Sequence, residues 1–323
     1  MTALDDIAQR YRKALVTGGA GFIGSHVCEE LVKSGIQTVS LDNYSAGKKK
    51  NHTHLDKHDN FQAIECDITD MHSLSRCFDG VDIVFHNAAS KKNVCLKDPR
   101  RDLAVNAIGV FNLLELSKAR GVKKFIHAST GSVYGEAPHC LLNENHPLCP
   151  LSYYGISKMT GENYVRLFNS IHGLDTTILR YFHVYGPRQE SSELGGVVAI
   201  FIRNMMNNER PVIFGDGTQT RIFTHVKDVV KANLLVATNE RTGGETYNCA
   251  SGFSITVQEL CDKVIEYFGK AGVVTPKYDD WLIGDLRFFN VSNDKINALG
   301  LVFDTDFFGR LLELCEDARK SGR

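Results

Sequence analysis

The stretch that decides the fold is "KALVTGGAGFIGSHVCEELVKSG", which occupies residues 13–35. It opens with a short apolar run, passes through glycines and continues with apolar residues at helical spacing, so it predicts a strand, a tight turn and a helix. Gly18, Gly21 and Gly24 punctuate the turn. Glycines there let backbone N–H groups approach a pyrophosphate, and the helix N-terminus adds partial positive charge. The stretch therefore predicts a dinucleotide-binding turn.

The acid after this turn indicates which dinucleotide is bound. The next predicted strand, "TVSLDN" at residues 38–43, ends with Asp42 and Asn43. A carboxylate in this place accepts hydrogen bonds from both ribose hydroxyls of NAD and repels a 2′-phosphate. NAD is therefore favoured over NADP. The alternative interpretation is a glycine-rich turn with an unrelated surface aspartate.

Strands and helices alternate up to about residue 180. Further strands are predicted within residues 61–70, 81–89 and 123–130, and a helix is predicted over 103–121, ending at Gly121. The alternation predicts an α/β fold with a doubly wound parallel sheet, the Rossmann arrangement, covered by helices on both faces.

The second half is richer in loops and predicts a smaller C-terminal α/β substrate lobe. We expect an NAD-binding domain over residues 1–180, with a return of the chain around 212–245. The substrate-binding lobe is then discontinuous over 181–323. A helix with Thr256 as N-cap and Glu259 at capping-box spacing is expected in this lobe.

Composition excludes several classes of partner. The 323 residues carry a formal net charge of -1, so no chain-wide field attracts nucleic acid or an acidic membrane. The nine cysteines form no Cys-x-x-Cys pair, so neither a zinc site nor a redox pair is indicated. No apolar run is long enough to span a bilayer, and the N-terminus has no apolar signal segment. We expect a cytoplasmic protein with no metal, no nucleic acid and no membrane partner.

The short stretch "YYGISK", residues 153–158, contains a candidate catalytic pair. Tyr154 and Lys158 are four residues apart, so on a helix they lie on one face. A free tyrosine has a pKa near 10 and must lose about three units to act as a base at neutral pH. A neighbouring ammonium favours the phenolate. The alternative interpretation is a partly buried tyrosine beside a surface lysine.

Six motifs in order make the chain recognisable: "TGGAGFIG", "LDN", "HNAAS", "HASTGSVYG", "YYGISK" and "LRYFHVYGPRQ". Together they resemble the extended short-chain dehydrogenase/reductase family, in particular its nucleotide-sugar 4-epimerases. The resemblance runs from about Lys13 to about residue 250 and continues weakly to Asp294. It implies NAD as cofactor, a nucleotide-diphosphate sugar as substrate and a homodimer formed through helices at 103–119 and from 153 onward.

The resemblance also implies roles for individual residues. Asp67 and Ile68 would contact the adenine, and Asn106 would be a polar anchor of the cofactor site. The implied cofactor residues are Gly18, Gly21, Phe22, Ile23, Gly24, Asp42, Asn43, Asp67, Ile68, Ala88, Ala89, Lys91, Asn106, Tyr154 and Lys158. The implied catalytic residues are Thr130, Tyr154 and Lys158. The implied substrate residues are Lys91, Ser132, His183, Arg221 and Arg287.

These residues would oxidise a sugar hydroxyl to a ketone, and the fate of that ketone defines the enzyme. Dehydratases of the family place an Asp-Glu pair where this chain has Gly131 and Ser132, and decarboxylases place a Glu at the position of Ser132. Epimerisation through a transient 4-keto sugar needs neither acid and is favoured. The alternatives are a dehydratase, a decarboxylase or a reductase of the same family, and, from another class, a non-catalytic NAD-binding protein.

The departures from the family pattern fall on the substrate side. His183 replaces a common asparagine, and Ile222 and His225 replace an aspartate and a tyrosine. Leu282 and Ile283 stand where an arginine is common. Arg287 could supply the missing phosphate contact, and a surface arginine is the alternative interpretation.

Overall fold

The structure is a computed structural model that describes residues 3–90, 92–137, 140–192, 195–282 and 286–321. The strands are β1 Lys13–Thr17, β2 Gln37–Asp42, β3 Phe61–Glu65, β4 Ile83–His86, β5 Lys124–Thr130, β6 Thr176–Tyr181, β7 Val184–Tyr185, β8 Val212–Phe214, β9 Thr220–Ile222, β10 Thr224–His225, β11 Thr246–Cys249, β12 Ser254–Thr256 and β13 Lys277–Asp279. The α-helices are α1 Ala3–Arg10, α2 Phe22–Lys33, α3 Met71–Ser75, α4 Lys92–Lys97, α5 Pro99–Leu103, α6 Val110–Ala119, α7 Tyr153–His172, α8 Val197–Met206, α9 Val226–Thr238, α10 Val257–Tyr267, α11 Asp294–Asn297 and α12 Phe307–Ser321.

The main sheet has seven strands in the order β11-β6-β5-β4-β1-β2-β3. Every pairing within it is parallel. The order reverses beside β1, so the carboxyl ends of β1 and β4 flank the point where a doubly wound sheet opens into a crevice. The prediction of a doubly wound parallel sheet is confirmed.

Alternate residues of the strands build two apolar layers, one on each face of the sheet. Val16 and Phe85 pack with α2 and α9 in one buried cluster. Leu15 and Val84 pack with α6 and α7 in the other. Burial on both faces explains why these strands read as continuous apolar runs in the sequence.

The second half of the chain surrounds a third buried cluster. Phe201 of α8, Leu260 of α10 and Leu311 of α12 pack there. The short strands pair two by two, β8 with β13, β9 with β12 and β7 with β10. The chain returns to the main sheet through α9 and β11, which pairs with β6, whereas β8 and β9 belong to the small sheets. The division into two lobes stays a prediction.

Local signals in the sequence agree with the helix ends. Thr256 and Glu259 form the predicted capping box, with Glu259 N donating to Thr256 Oγ1 at 3.0 Å and Thr256 N donating to Glu259 Oε2 at 2.8 Å. Gly121 has a φ of +66°. The helix predicted over 103–121 is not one regular α-helix, because residues Ala104–Gly109 form a π-helix between α5 and α6. Such a wide turn is frequent at functional sites.

Three properties of the described residues concern their cysteines, their possible metal ligands and their possible membrane spans. All nine cysteines are free thiols. Among the described residues there is no group of three or more His, Cys, Asp or Glu side chains that could hold a metal ion. No helix in the described ranges combines the length and the apolar character needed to cross a bilayer.

Candidate active site

A cleft of about 1370 Å³ opens at the carboxyl ends of the sheet strands. Its lining includes the glycine turn after β1, Asp42 at the end of β2, Ala88 after β4 and, on α7, Tyr154 and Lys158. Sequence positions that are far apart therefore meet at one edge of the sheet, where ligands of open α/β sheets bind.

The glycine turn has a conformation that only glycine fits. Gly18 has a φ of +67°, and a Cβ there would lie 2.8 Å from the backbone nitrogen of Ala88. A Cβ at Gly24 would collide with the carbonyl oxygen of Gly18. Gly21 is the N-cap of α2, which begins at Phe22, and the following Ile23 also lines the cleft. The turn therefore presents bare backbone and a helix N-terminus to the cleft, as a pyrophosphate requires.

Asp42 is oriented by backbone donors. Its carboxylate accepts hydrogen bonds from Ala20 N at 3.0 Å and from Tyr44 N at 2.8 Å. Burial raises the pKa of Asp42, and these two donors oppose that effect. A second anion such as a 2′-phosphate would meet a buried carboxylate that is already fixed in place, so the geometry agrees with NAD.

A polar network follows at the end of β3. The Asp67 carboxylate accepts from Asn43 Nδ2 at 2.8 Å, from Thr69 Oγ1 at 2.7 Å and from the Arg101 guanidinium at 2.5 Å. Burial would raise the pKa of Asp67, but these hydrogen bonds outweigh it and hold the pKa well below its usual range. Asp67, Ile68 and Asn43 line the cleft as predicted for an adenine site, and Arg101 lines it as well.

Sequence reasoning missed Arg101. The signal lay in "DPRRD", where Asp98 caps α5 by accepting from Arg101 N at 2.9 Å. This cap fixes the first turn of α5 beside Asp67. A capped helix beginning with proline was visible in the sequence, but its position opposite β3 was not.

The "HNAAS" segment carries a second residue that the sequence did not single out. Asn87 lines the cleft between Ala88 and the sheet, and neither atom of its buried amide has a hydrogen-bond partner in the structure. Buried amides are nearly always satisfied, so this one fits a bound polar ligand. Ala88 and Ala89 line the cleft as predicted. Lys91 lies outside the described residues.

The three catalytic candidates come together where β5 meets α7. Thr130 ends β5, and its side chain acts to lower the pKa of the nearby Tyr154 phenol. Lys158 Nζ donates to the carbonyl oxygen of Ala128 at 2.6 Å. Thr130 Oγ1 also lies 3.3 Å from Ser132 Oγ, which places the predicted sugar-facing serine beside the pair.

Burial has the largest effect on the pKa values of Tyr154 and Lys158. Burial raises the pKa of Tyr154, opposed by the hydrogen bond from Thr130. Burial lowers the pKa of Lys158 to about 8, opposed by the charges of Glu162 and Asp102. Within the protein itself, desolvation therefore outweighs any effect of the neighbouring ammonium on the Tyr154 phenol. A further positive charge bound in the cleft would favour the phenolate.

Asn106 is a buried anchor in the π-helix. Its amide nitrogen donates to Asp102 Oδ1 at 2.7 Å and to Ser157 Oγ at 3.1 Å, and its oxygen accepts from Ser90 N at 3.0 Å. These bonds connect the helix before α6 with α7 and with the segment after β4. Asn106 therefore affects the cleft indirectly, through the residues to which its amide is hydrogen bonded.

Three of the predicted substrate residues, His183, Arg221 and Arg287, lie in the second half of the chain. His183 has a φ of +35° and packs edge-on against Phe289 at 5.0 Å between ring centroids. Arg221, in β9, is 7% exposed and donates to the Leu286 carbonyl at 2.9 Å. The Arg287 guanidinium lies over the ring of Trp281 at 4.2 Å. None of the sequence motifs includes Trp281.

Comparison with known proteins agrees with this geometry. The model of the NAD dependent epimerase/dehydratase family matches residues 14–250. A UDP-glucose 4-epimerase of Mycolicibacterium smegmatis is 34% identical over 288 residues, which cover 88% of this chain and 90% of that protein. A UDP-N-acetyl-alpha-D-glucosaminuronate decarboxylase of Bacillus cytotoxicus is 36% identical over 259 residues, 78% of this chain and 79% of that protein.

A solved structure is similar over nearly the whole chain. The crystal structure of a UDP-glucose 4-epimerase with UDP-glucose from Thermotoga maritima is 38% identical, with a TM-score of 0.90. The match covers 96% of this chain and 100% of that chain. The predicted resemblance to epimerase-type extended short-chain dehydrogenases is confirmed, and so is NAD as cofactor. The chain belongs to the NAD-dependent epimerase/dehydratase family.

Proposed function

We propose that this protein is an NAD-dependent nucleotide-sugar 4-epimerase that works through a transient 4-keto sugar. One observation carries the proposal: Tyr154 and Lys158 line the dinucleotide cleft with Thr130 beside Tyr154, while the positions of the acids that other family reactions need hold Gly131 and Ser132. The names of the relatives above support it.

Each member of the set has a task that its geometry supports. Tyr154 takes the proton of the sugar hydroxyl and returns it to the new hydroxyl. Thr130, beside Tyr154, donates to the same sugar oxygen. Lys158, whose ammonium lies in the cleft, stabilises the phenolate and binds the cofactor ribose. NAD, when bound, supplies a reversible acceptor for the hydrogen on carbon.

The structure gives a steric reason against dehydration. A Cβ at Gly131 would overlap the buried ring of Phe182, so this position has no room for the acid side chain that dehydratases place there. The hydroxyl of Ser132, which stands in the other acid position, is a poor acid.

Decarboxylation is the second candidate, because one relative carries that name. A 4-keto uronic acid can lose carbon dioxide with the ketone itself as electron sink, so less acid–base help is needed. Ser132 in place of glutamate favours epimerisation over this outcome.

The substrate class is a nucleotide-diphosphate sugar. Arg221 and Arg287 are cations of the second half that can bind a diphosphate. His183, in a strained backbone conformation beside Phe289, is a third candidate contact.

The test is NMR of the purified protein with a panel of nucleotide sugars and no added cofactor. We expect at least one of them to equilibrate with its C4 epimer. A requirement for stoichiometric added NAD in every case would contradict an epimerase, since an epimerase regenerates its cofactor in each cycle.

We also propose that two copies pair through α7 and the helical stretch before it. Four exposed apolar residues follow one stripe of α7, namely Tyr153, Ile156, Leu167 and Ile171, exposed by 55%, 48%, 45% and 64%. Leu103 and Ile108 are exposed by 52% and 53% on the preceding helical stretch. A second copy of the same face would cover this stripe. Light scattering should give a dimer at micromolar concentration, and a monomer would remove the proposal.

Free cysteines indicate the compartment. Nine thiols without a disulfide fit a reducing environment, and on that basis we propose a cytoplasmic location. Fractionation of the native host with an antibody against the protein would test it, and recovery from an oxidising compartment would contradict it.

A further inference from the structure

A buried ion pair lies one helical turn beyond Lys158. Glu162 is 0% exposed and Arg180, on β6, is 1% exposed. Arg180 binds both carboxylate oxygens, with Nε to Oε1 at 2.9 Å and Nη2 to Oε2 at 2.8 Å. Arg166 adds a third bond to Oε2 at 2.6 Å. Burying a carboxylate this deeply costs free energy unless it is paired. Its position one turn from the proposed catalytic lysine indicates a role at the active site.

Glu162 also binds the strand that carries Thr130. Ser129 Oγ donates to Glu162 Oε1 at 2.5 Å. Two consecutive residues at the end of β5 therefore bind two residues of α7: Ala128 binds Lys158, and Ser129 binds Glu162. The next residue of the strand, Thr130, lies beside Tyr154. The bond from Ser129 to Glu162 fixes the register between the strand and the helix.

The same carboxylate belongs to the charge environment of Lys158, which is 2% exposed. Glu162 acts on the ammonium from its own helix, Asp102 from α5, His86 from β4 and His127 from β5. Burial lowers the pKa of both histidines well below the usual value, so they stay neutral. The two carboxylates are thus the negative charges that oppose deprotonation of Lys158.

We propose that Glu162 is a positioning residue of the active site, which fixes α7 on the end of β5 and places a negative charge one helical turn from Lys158. The inference rests on the proposed function, because it assigns Glu162 to the support of the Tyr154–Lys158 chemistry. Glu162 touches neither sugar nor cofactor and acts through Ser129 and Lys158.

The test follows the titration of Lys158 through NAD affinity, measured by equilibrium dialysis between pH 6 and 9.5. In the wild type, affinity should fall as pH rises through about 8, because Lys158 loses its charge there. Glu162→Gln removes a negative charge, which destabilises the ammonium, so the fall should move to lower pH by about one unit. The alkaline limit of kcat should move in the same direction.

Two further variants separate charge from register and guard against unfolding. Glu162→Gln leaves Arg180 buried without its carboxylate, so the double variant Glu162→Gln/Arg180→Met is made alongside it. It lacks both charges, so the fall should move in the same direction by a smaller amount than in Glu162→Gln. Ser129→Ala removes the strand contact but keeps the charge, so it should lower kcat several-fold without moving the pH dependence.

Glu266→Gln is the matched control, since Glu266 forms an exposed ion pair with Lys263 on α10, in the second half of the chain. Glu266→Gln should change neither the pH dependence of NAD affinity nor kcat. The two hypotheses fail differently. No fall of NAD affinity near pH 8 in the wild type would contradict the proposed role of Lys158. A fall that stays at the wild-type pH in both folded Glu162 variants would overturn the positioning role of Glu162.

Discussion

The cofactor side and the substrate side of this molecule differ in how local their determinants are. On the cofactor side, Gly18, Asp42, Asp67 and Ala88 each follow a strand of one parallel sheet, so the sheet itself brings them to one cleft. On the substrate side, Arg221 is in a two-stranded pairing and Arg287 follows β13 in an irregular segment. Sheet topology therefore places a residue more securely than a loop does.

The largest expected effect is on the cofactor side, at the reacting atoms. Tyr154→Phe should lower kcat by about 10²–10⁴-fold, because the general base is lost while the ring remains. NAD affinity and melting temperature should stay near the wild-type values. Steady-state kinetics with the best nucleotide sugar measures the change. Retention of most of the activity would mean that Tyr154 is a structural residue.

A second change tests the choice of cofactor. Asp42→Asn should weaken NAD binding about tenfold, since hydrogen bonds to charged groups contribute ~1.5–3 kcal/mol. The preference for NAD over NADP should become smaller, because the repulsion of a 2′-phosphate is gone. Isothermal titration of both cofactors against both proteins measures it. Equal affinity of the wild type for NAD and NADP would remove the assignment of Asp42.

The third change moves to the substrate side. Arg221→Lys keeps the charge and loses the planar donor set, so KM for the nucleotide sugar should rise about tenfold, with NAD affinity unchanged. Arg210→Lys is the matched control, since Arg210 also binds backbone carbonyls of the second half of the chain, those of Thr275 and Pro276, and does not line the cleft. If Arg221→Lys weakened NAD binding instead, the separation between the two sides would be wrong.

The smallest expected effect is at the adenine end of the cleft. Arg101→Met removes a partly exposed ion pair with Asp67, so NAD affinity should fall by about fivefold at most. Salt should reduce the difference between the wild type and the variant. A loss much larger than this would indicate that Arg101 binds the cofactor directly rather than through Asp67.

What the sequence could predict follows the same division. The glycine turn, the capping box at Thr256 and the strands of the main sheet depend on residues close in sequence, and the structure has them. The residues that line the cleft could also be predicted, because parallel strands end at one edge of the sheet. The protonation of Tyr154 could not be predicted, since it depends on burial by residues far along the chain. The role of Asn87 and the stacking of Arg287 on Trp281 depend on contacts between distant segments, which a single sequence does not specify.

The central claim is that carbon 4 of a nucleotide sugar is oxidised and then reduced within one active site. The direct measurement uses the nucleotide sugar that proves active, deuterated at C4, in ordinary water without added cofactor. Mass spectrometry and NMR of the product are then recorded. An epimerase of this mechanism gives a product of unchanged mass, with inversion at C4 and with deuterium retained at that carbon. Loss of water or carbon dioxide, or replacement of the deuterium by hydrogen from the solvent, would contradict the claim.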